Sequence, residues 1–425
     1  MLAWRNGRLD SLTIRARVVD PATGIDESAT VTVEDGVVAA IEPTSGAPAG
    51  LVLAPAFVDP HVHLRTPGRE DEETIASGTE AAAGGGFCAI VAMPNTDPVV
   101  DTAPVLQALV ERAREEALIP TGFTAAISKG QRGEELTEMA ELAAAGAIAF
   151  TDDGRPVASA GLMRRALAYS AVADRPLALH CEEPTLSRDG QMHEGAVSAE
   201  LGLAGWPSVA ESLMVERDLA LAGYEGRPIH LQHLSARASV DAVRRARLAG
   251  VRVSAEASPH HLCATDELVR TLDANTKMNP PLRTEDDRRA LVEGLCDGTI
   301  DCIGTDHAPH ARHEKDAPFE EAPFGVTGLE TAFAALNTFL VRTDEVPLGT
   351  VLERLSAGPA RALGLPVPRI AVGEPANLVL LDLEAEWTVT EAGFRSRSVN
   401  SWLLGHSLVG AVVKTVAAGK VVFAA

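Results

Sequence analysis

Apolar, strand-like runs alternate with alanine-rich helical stretches along most of the chain. The runs are VLAPAFVDPHVHL, FCAIVAMPN, TGFTAAIS, AIAFTDD, PLALHCE, PIHLQHLS, VRVSAEASPHHL and IDCIGTDHAP. Strands that alternate with helices form parallel sheets, because each connection must cross back over the sheet. Eight such units in about 310 residues predict an α/β fold of the (β/α)8, or TIM, barrel type.

Both ends of the chain have a different texture. SLTIRARVVD and ATVTVEDGVVAAIEP near the start, and ANLVLLDL and LVGAVVKTVAAGKVVFAA near the end, are rich in β-branched residues. Such segments, separated by turn-forming residues, predict short strands. We expect residues 1–53 and 366–425 to form one small, β-rich, β-sandwich-like satellite domain beside a barrel at residues 54–365.

One helix is predicted in more detail, over TAPVLQALVERAREEAL at residues 102–118. Thr102 is a candidate N-cap, and Pro104 suits the first turn. The buried stripe is expected to contain Val105, Leu106, Leu109, Val110 and Ala113.

Charge and cysteine content limit the partners of the protein. A net charge of -22 argues against nucleic acid or an anionic membrane as the main partner, because both need a basic face. The five cysteines are scattered without a CxxC pair, and no apolar run is long enough to cross a bilayer. We therefore expect a cytoplasmic protein with reduced thiols.

Polar side chains follow most of the predicted barrel strands. In DPHVHLR, the residues Asp59, His61, His63 and Arg65 alternate along a strand and so share one face. Because active sites of such barrels lie at the carboxyl ends of the strands, side chains from several strands are expected to meet at one mouth. The candidates are His61, His63, Asn95, Asp152 or Asp153, His180, His233 and Asp306.

This set of side chains is typical of a metal centre. Nitrogen and oxygen donors without a thiolate suit zinc or a similar divalent ion. Four imidazoles and two carboxylates exceed what one tetrahedral ion needs. We therefore expect two zinc ions, roughly 3.5–4 Å apart, bridged by a carboxylate and a hydroxide.

Strand parity leaves some of these choices open. His230 and His233 fall on opposite faces of their strand, and His233 is the better candidate ligand because it lies nearer the carboxyl end. Asp152 and Asp153 also face opposite ways, and parity alone does not choose between them. Three further histidines are candidates for a supporting role behind the ligands or for ordinary packing: His260, His261 and His307.

Taken together, the motifs resemble the amidohydrolase superfamily and, within it, the type I dihydroorotases closely. The matching stretches run from residue 59 to about residue 331, and the β-rich ends fit the satellite domain of that family. They are DPHVHLRTPGREDEETIASGTEAAAGGGF, MPNTDPVVD, AFTDDG, LALHCE, MHEG, HLSARASV, EASPHHL, KMNPPLR, DGTIDCIGTDHAPH and APFGVTGLET. The combination of MPNT, KMNPPLR and TDHAPH is specific.

The resemblance implies reversible cyclisation of N-carbamoyl-L-aspartate to L-dihydroorotate and water, a step of de novo pyrimidine (UMP) synthesis. It also implies that Asp153, rather than Asp152, bridges the two zinc ions. One ion is then held by His61, His63, Asp153 and Asp306, and the other by Asp153, His180 and His233. The matching strand holds no lysine, whereas hydantoinases and the other dihydroorotase type use a carbamylated lysine as the bridge.

Further roles follow from the same resemblance. The metal-bridging hydroxide would attack the ring carbonyl, with Asp306 as general base and then general acid. The charged segment ARHEKDAPFEEAPFG, residues 311–325, is expected to act as a lid. The implied substrate contacts are His63, Arg65, Asn95 and His310, with Asn279, Phe324 and Gly325 around the ring.

Two other functions compete with this interpretation. An allantoinase- or hydantoinase-like enzyme is disfavoured, because a ring without a carboxylate gives Arg65 and Asn95 nothing to bind. An inactive homologue that only assembles with aspartate carbamoyltransferase is expected to have lost ligands, and this chain keeps all of them. An active enzyme could still form a homodimer or that complex.

Overall fold

The structure is a computed structural model and describes residues 1–5 and 7–425. The strands are β1 (Leu12–Asp20), β2 (Ile25–Glu34), β3 (Val37–Pro43), β4 (Leu51–Pro55), β5 (Phe57–Val62), β6 (Phe87–Ala92), β7 (Thr121–Phe123), β8 (Leu177–Leu179), β9 (Met192–His193), β10 (Gly205–Trp206), β11 (Ile229–Leu231), β12 (Val253–Ala257), β13 (Cys302–Ile303), β14 (Leu378–Thr388), β15 (Ser407–Ala417) and β16 (Lys420–Ala424). The α-helices are α1 (Ile75–Gly84), α2 (Ala103–Glu116), α3 (Met139–Ala145), α4 (Ala160–Ala173), α5 (Pro184–Ser187), α6 (Ala196–Leu201), α7 (Val209–Glu225), α8 (Arg237–Leu248), α9 (Pro259–Cys263), α10 (Glu285–Asp297), α11 (Arg312–Lys315), α12 (Ala332–Leu336), α13 (Leu348–Leu355) and α14 (Ala357–Ala362).

Parallel pairings close the central strands into a barrel. Strands β5, β6 and β7 form one ladder, and β8, β11, β12 and β13 form another. Single-residue parallel bridges join the two ladders, because Phe150 pairs with both Ala125 and Leu177, and Val62 pairs with His307. The circle of strands predicted from the sequence is therefore present, although the fourth predicted run contributes only Phe150 to the pairing.

The prediction of one continuous strand over residues 52–64 is wrong. Strand β4 pairs with β14 and β1, whereas β5 pairs with β6 in the barrel. The change occurs at two neighbouring residues, since the amide of Ala56 donates to Asn377 O and that of Phe57 donates to Gly86 O. Both strands are almost wholly buried, so hydrophobicity alone does not reveal where one ends.

Strands from both ends of the chain form one seven-stranded sheet in the order β16-β15-β14-β4-β1-β2-β3. The β2–β3 hairpin turns at Asp35 and Gly36, whose φ angles of 48° and 76° match the turn that favours glycine. The sheet has an apolar cluster of its own that includes Ala16, Val31 and Leu378. Its separation as a satellite domain with the bounds given above stays a prediction.

Helix α2 confirms the predicted helix over most of its length. Its buried residues are Leu106, Leu109, Val110 and Ala113, while Val105 is only partly buried against the core. Pro104 occupies the first turn, as expected. The expectation for Thr102 is wrong in one respect, because its side chain makes no capping hydrogen bond although it is the N-cap residue.

The barrel interior is apolar at its base and polar at its carboxyl-end mouth. Every residue of β5 and β6 is buried.

All five cysteines are described and none is paired in a disulfide. Across residues 1–5 and 7–425, no helix combines the length and the apolar character that crossing a membrane requires.

Candidate active site

The six predicted metal ligands meet at the mouth of the barrel. Each ligand candidate lies at or just after the end of a barrel strand, or just after the bridging residue Phe150. His61 and His63 lie at the end of β5, Asp153 after Phe150, His180 after β8, His233 after β11 and Asp306 after β13. The carboxyl ends of parallel strands point the same way, which brings these distant residues together. All six side chains are at least nine-tenths buried.

Asp153 lies at the centre of the cluster. Its Oδ1 atom is 3.6 Å from Nε2 of His61, 3.7 Å from Nδ1 of His180 and 3.6 Å from Nε2 of His233. Its Oδ2 atom is 3.5 Å from Nε2 of His63. One carboxylate thus faces four imidazoles with both of its oxygens, which is the arrangement that a bridging ligand needs.

Asp152 points the other way and settles which of the paired aspartates faces the cluster. Its Oδ1 accepts hydrogen bonds from the amides of Ile127 at 2.8 Å and Ser128 at 3.0 Å, and the Ser128 hydroxyl donates to Oδ2. Burial raises the pKa of Asp152 to about 6, against the effect of these hydrogen bonds. Asp152 therefore anchors the loop that carries Asp153.

Asp306 completes the cluster opposite Asp153. Its Oδ1 is 3.1 Å from Nε2 of His63 and 3.5 Å from Nε2 of His61. Burial alone would raise the pKa of Asp306, but the charge of His61 and the hydrogen bond from His63 outweigh it and lower the pKa. The carboxylate stays ionised beside the cleft that it lines.

Three of the site residues have a left-handed backbone. The φ angles are 31° at His233, 49° at Asp306 and 54° at Arg65. Residues other than glycine rarely adopt this region, and functional sites are where such strain is kept. The turn redirects each side chain after its strand has ended, so the alternation of a strand does not describe these positions.

The cluster fits a divalent metal ion. Nε2 of His61 is buried and has no hydrogen-bond partner among the described residues, although it faces Asp153 and Asp306. Burial opposes a charge on His61, yet the carboxylates of Asp153, Glu256 and Asp306 raise its pKa well above the ordinary value. The surroundings therefore favour a positive charge at this point, and the donors are those that zinc accepts.

Glu256, which sequence reasoning missed, supports the ligands from behind. Its Oε1 lies 2.7 Å from Nδ1 of His61 and accepts the amide of His233 at 3.1 Å, while Oε2 lies 2.9 Å from Nε2 of His230. His230 therefore faces this carboxylate and His233 faces the cluster. A glutamate inside the buried strand β12 was the available signal, because buried carboxylates need partners.

The three histidines that the sequence offered for a supporting role, His260, His261 and His307, lie outside the ligand cluster. His307 is 3.2 Å from a carboxylate oxygen of Glu73, and Nε2 of His261 is 2.9 Å from Pro280 O. The ring of His260 packs against that of His261, with centroids 4.3 Å apart. Burial lowers the pKa of His261 to about 3, which keeps this ring neutral.

A cleft opens beside the ligand cluster. Apart from the metal-ligand candidates and small neighbouring residues, it is lined by Arg65, Asn95, Asn279, Phe324 and Gly325. Six predicted substrate contacts, namely these five residues and His63, therefore line the same cavity as the ligand cluster.

Arg65 presents a guanidinium group to this cleft and is held from the side. Its Nε lies 2.9 Å from Oε2 of the fully buried Glu72 and 3.0 Å from Pro309 O. One terminal nitrogen is 3.3 Å from Nε2 of His310. Burial lowers the pKa of His310 to about 3, with a further contribution from Arg65, so the imidazole is neutral. Glu72 was not identified from the sequence.

Asn95 bonds to the ligands themselves. Its Oδ1 lies 2.9 Å from Nδ1 of His63, and its Nδ2 donates to Oδ2 of Asp153 at 3.3 Å. Asn279 is placed across the cleft, where its Nδ2 donates to Glu182 at 3.4 Å and its Oδ1 is buried without a partner among the residues that the structure describes. An unpaired buried oxygen at the cleft is available to a ligand.

A residue from the C-terminal part of the chain also supports the site. Asn400 Nδ2 donates to Ala308 O at 3.1 Å and Gly325 O at 3.2 Å, and its Oδ1 accepts the amide of His310 at 3.0 Å. This side chain ties the loop after β13 to the end of the segment 311–325. Nothing in the local sequence around Asn400 indicates this contact.

The chain is similar to known proteins over most of its length. A family model described as Dihydro-orotase-like matches residues 50–239. The chain is 46% identical over 416 residues to the dihydroorotase of Anaeromyxobacter dehalogenans (strain 2CP-C), covering 96% of each chain. It is 48% identical over 374 residues to that of Geobacillus sp. (strain WCH70), covering 88% of each. Identity to the dihydroorotase of Caldanaerobacter subterraneus subsp. tengcongensis is 41% over 417 residues, or 96% of each.

Solved structures share the barrel fold. The L-hydantoinase (dihydropyrimidinase) from Arthrobacter aurescens is similar with a TM-score of 0.85 at 25% identity, covering 96% of this chain and 95% of that one. The dihydropyrimidinase from Brevibacillus agri NCHU1002 has a TM-score of 0.81 at 23% identity and covers 100% and 95%. At such identity the second likeness concerns the fold alone.

Proposed function

The chain belongs to the dihydroorotase family of cyclic-amide hydrolases, and we propose that the cleft at the barrel mouth interconverts N-carbamoyl-L-aspartate and L-dihydroorotate. The reaction closes or opens one amide bond of a six-membered ring. The site, rather than the fold, indicates the function, because the same barrel also carries hydantoinases.

One observation carries this choice of substrate. The guanidinium group of Arg65 lines the same small cleft as the cluster of metal-ligand candidates. Dihydroorotate keeps a carboxylate on its ring, and a planar guanidinium binds a carboxylate through paired, charge-assisted hydrogen bonds. A hydantoin without that group would leave N–H donors of the buried guanidinium unused, even though its Nε pairs with Glu72, and unused buried donors are unfavourable.

We propose two zinc ions as cofactors. The first would be held by His61, His63, Asp153 and Asp306, and the second by Asp153, His180 and His233. When bound there, such a pair would activate water as the nucleophile and polarise the ring carbonyl. The unpaired Nε2 of His61 and the central position of Asp153 support this assignment.

The residues of the cleft then orient the substrate and move a proton. Arg65, Asn95 and His310 bind the substrate carboxylate, and Asn279 with the backbone at Phe324 and Gly325 holds the ring. In the hydrolytic direction, Asp306 accepts the proton of the attacking water and donates it to the departing ring nitrogen. His63 serves both metal binding and substrate binding, since it is a ligand candidate that also lines the cleft.

Several broader expectations stay predictions. They are the satellite domain at 1–53 and 366–425 beside a barrel at 54–365, the cytoplasmic location, the lid motion of residues 311–325, and assembly as a homodimer or with aspartate carbamoyltransferase. The role in pyrimidine synthesis follows from the family.

The test is a measurement of bound metal followed by parallel assays of one sample with L-dihydroorotate and with hydantoin. We expect close to two zinc ions per chain, turnover of dihydroorotate, and poor turnover of hydantoin. Removal of the metal with a chelator should abolish turnover, and zinc should restore it. Full turnover by a verified metal-free sample, or a preference for hydantoin, would contradict the proposal.

A further inference from the structure

Two lysines near the cleft bury their ammonium groups against backbone carbonyls. Lys277 is 2% exposed, and its Nζ donates to Phe319 O at 2.7 Å and Glu320 O at 3.1 Å. Lys315 is 9% exposed, and its Nζ donates to Ala274 O at 3.0 Å and to one further carbonyl. Within the described part of the chain, neither ammonium group forms an ion pair.

Burial of this kind is unusual for lysine. Most lysines stay exposed, because an ammonium group loses much hydration when it is buried without a carboxylate. Burial lowers the pKa of Lys277 to about 8. Burial also lowers the pKa of Lys315 to about 7, and the charge of Lys277 contributes to that shift. Two buried ammonium groups close to each other indicate that their hydrogen bonds have a functional role.

The hydrogen bonds join two separate parts of the chain. Lys277 lies in the loop before α10 and reaches across to the segment 311–325. Lys315 lies on that segment, in α11, and reaches back to Ala274 in the loop. A backbone bond from the amide of Gly325 to Lys277 O, at 2.9 Å, runs beside them.

The same lysines fix the end of the segment that faces the cleft. Nζ of Lys277 lies 4.7 Å from the centre of the Phe324 ring, within the range of a cation–π contact. Nζ of Lys315 donates to Pro323 O at 2.8 Å. The residue that follows these contacts is Gly325, and Asn279 lies two residues beyond Lys277. All three of Asn279, Phe324 and Gly325 line the cleft.

We infer that Lys277 and Lys315 are positioning residues that hold the backbone of Phe324 and Gly325 in place relative to Asn279. This inference rests on the proposed function, in which these three residues hold the substrate ring. Loss of either lysine leaves two carbonyl groups, one buried and one partly buried, without their donor and lets the segment shift. A shift of about 1 Å in a group that orients a substrate can reduce the rate by up to 10²-fold.

The test uses the zinc-loaded, full-length variants Lys277→Met and Lys315→Met. Methionine keeps an unbranched apolar side chain and removes the donors. Lys420→Met is the matched control, because Nζ of Lys420 donates to a single carbonyl, Arg5 O at 2.9 Å, beside strand β16. Three quantities are measured for each variant: KM and kcat for L-dihydroorotate, bound zinc, and amide hydrogen exchange along the chain.

We expect KM to rise on the order of 10-fold in each cleft variant, with a smaller change in kcat and unchanged zinc content. Amides of residues 319–325 should exchange faster in both, while those of the barrel strands keep the wild-type rate. The control should match the wild type in all three measurements. If Lys277→Met fails to fold, Lys315→Met decides the question, since Lys315 lies on the segment outside the barrel strands.

A KM within about twofold of wild type in a folded cleft variant would overturn the inference, as would faster exchange throughout the barrel, which marks a merely structural role. The exchange measurement does not depend on turnover. Failure of the proposed function would appear as a wild type that does not turn over dihydroorotate, whatever the exchange result.

Discussion

Nδ1 of His61 lies 2.7 Å from Oε1 of Glu256, on the side of the imidazole away from the cleft. The opposite nitrogen, Nε2, faces the oxygens of Asp153 and Asp306. A carboxylate at Nδ1 keeps a proton on that atom, so that Nε2 is the atom that gives up its proton and offers its lone pair when a metal ion binds. Glu256 itself stays ionised, because His61 and His230 outweigh its burial and lower its pKa.

Glu256→Gln should therefore weaken zinc binding by roughly 10- to 100-fold, since a partner behind a ligand sets its orientation and basicity. Competition with a chelator of known affinity measures the change. Glu135→Gln, at an exposed carboxylate paired with Lys129, is the control and should bind zinc like the wild type. Equal affinities in the two variants would remove Glu256 from this role.

Asp306→Asn should reduce kcat by about 10²- to 10⁴-fold, because an amide cannot accept the proton of the attacking water. Bound zinc must be measured in the same sample, since Asp306 is also a ligand candidate. The assay is run at saturating zinc. A zinc-loaded variant that keeps more than about half of wild-type turnover would show that another group moves the proton.

Arg65→Met should retain zinc but lose on the order of 10²-fold or more in kcat/KM for L-dihydroorotate. The wild type should turn over dihydrouracil or hydantoin poorly, and the variant should discriminate less, because its cleft no longer contains guanidinium N–H donors that a ring without a carboxylate leaves unused. Both substrates are assayed on both proteins. A variant that discriminates as well as its parent would refute the carboxylate assignment and favour a hydantoinase-like site.

The equilibrium between the two substrates should depend on pH. N-carbamoyl-L-aspartate carries two carboxylates and the ring carries one, so cyclisation consumes a proton. For each unit by which the pH rises, the ratio of ring to open form should fall about tenfold, as long as the carboxylates are ionised. The ratio is measured from both directions at three pH values one unit apart. A constant ratio would mean that the substrate pair is wrong.

The positions of the metal-ligand candidates could be predicted from the sequence, for a physical reason. Apolar runs mark strands, and a histidine or aspartate at the end of such a run is placed at the mouth as soon as the strands are parallel. His61, His180 and Asp306 are far apart in sequence, yet each is read from its own short stretch. Only the choice between Asp152 and Asp153 needed more than this rule, and there the resemblance implied the residue that the structure places at the cluster.

The supporting contacts depend on the tertiary structure. Glu256 meets His61 across 195 positions of sequence, and Asn400 meets His310 across 90. Such pairs form only when separate strands and loops pack together, so no local pattern announces them. The split of the first predicted strand between two sheets has the same cause, because both halves are apolar and buried and differ only in their pairing partners.

The sequence by itself therefore determined the alternation of strands and helices, and with it which side chains reach the mouth of the barrel. Periodicity and strand ends are local properties, and a closed parallel sheet turns them into proximity. The tertiary structure alone decided how those side chains are oriented. The surrounding packing imposes the left-handed backbone at His233 and Asp306. It also places a carboxylate behind His61 and another behind Arg65.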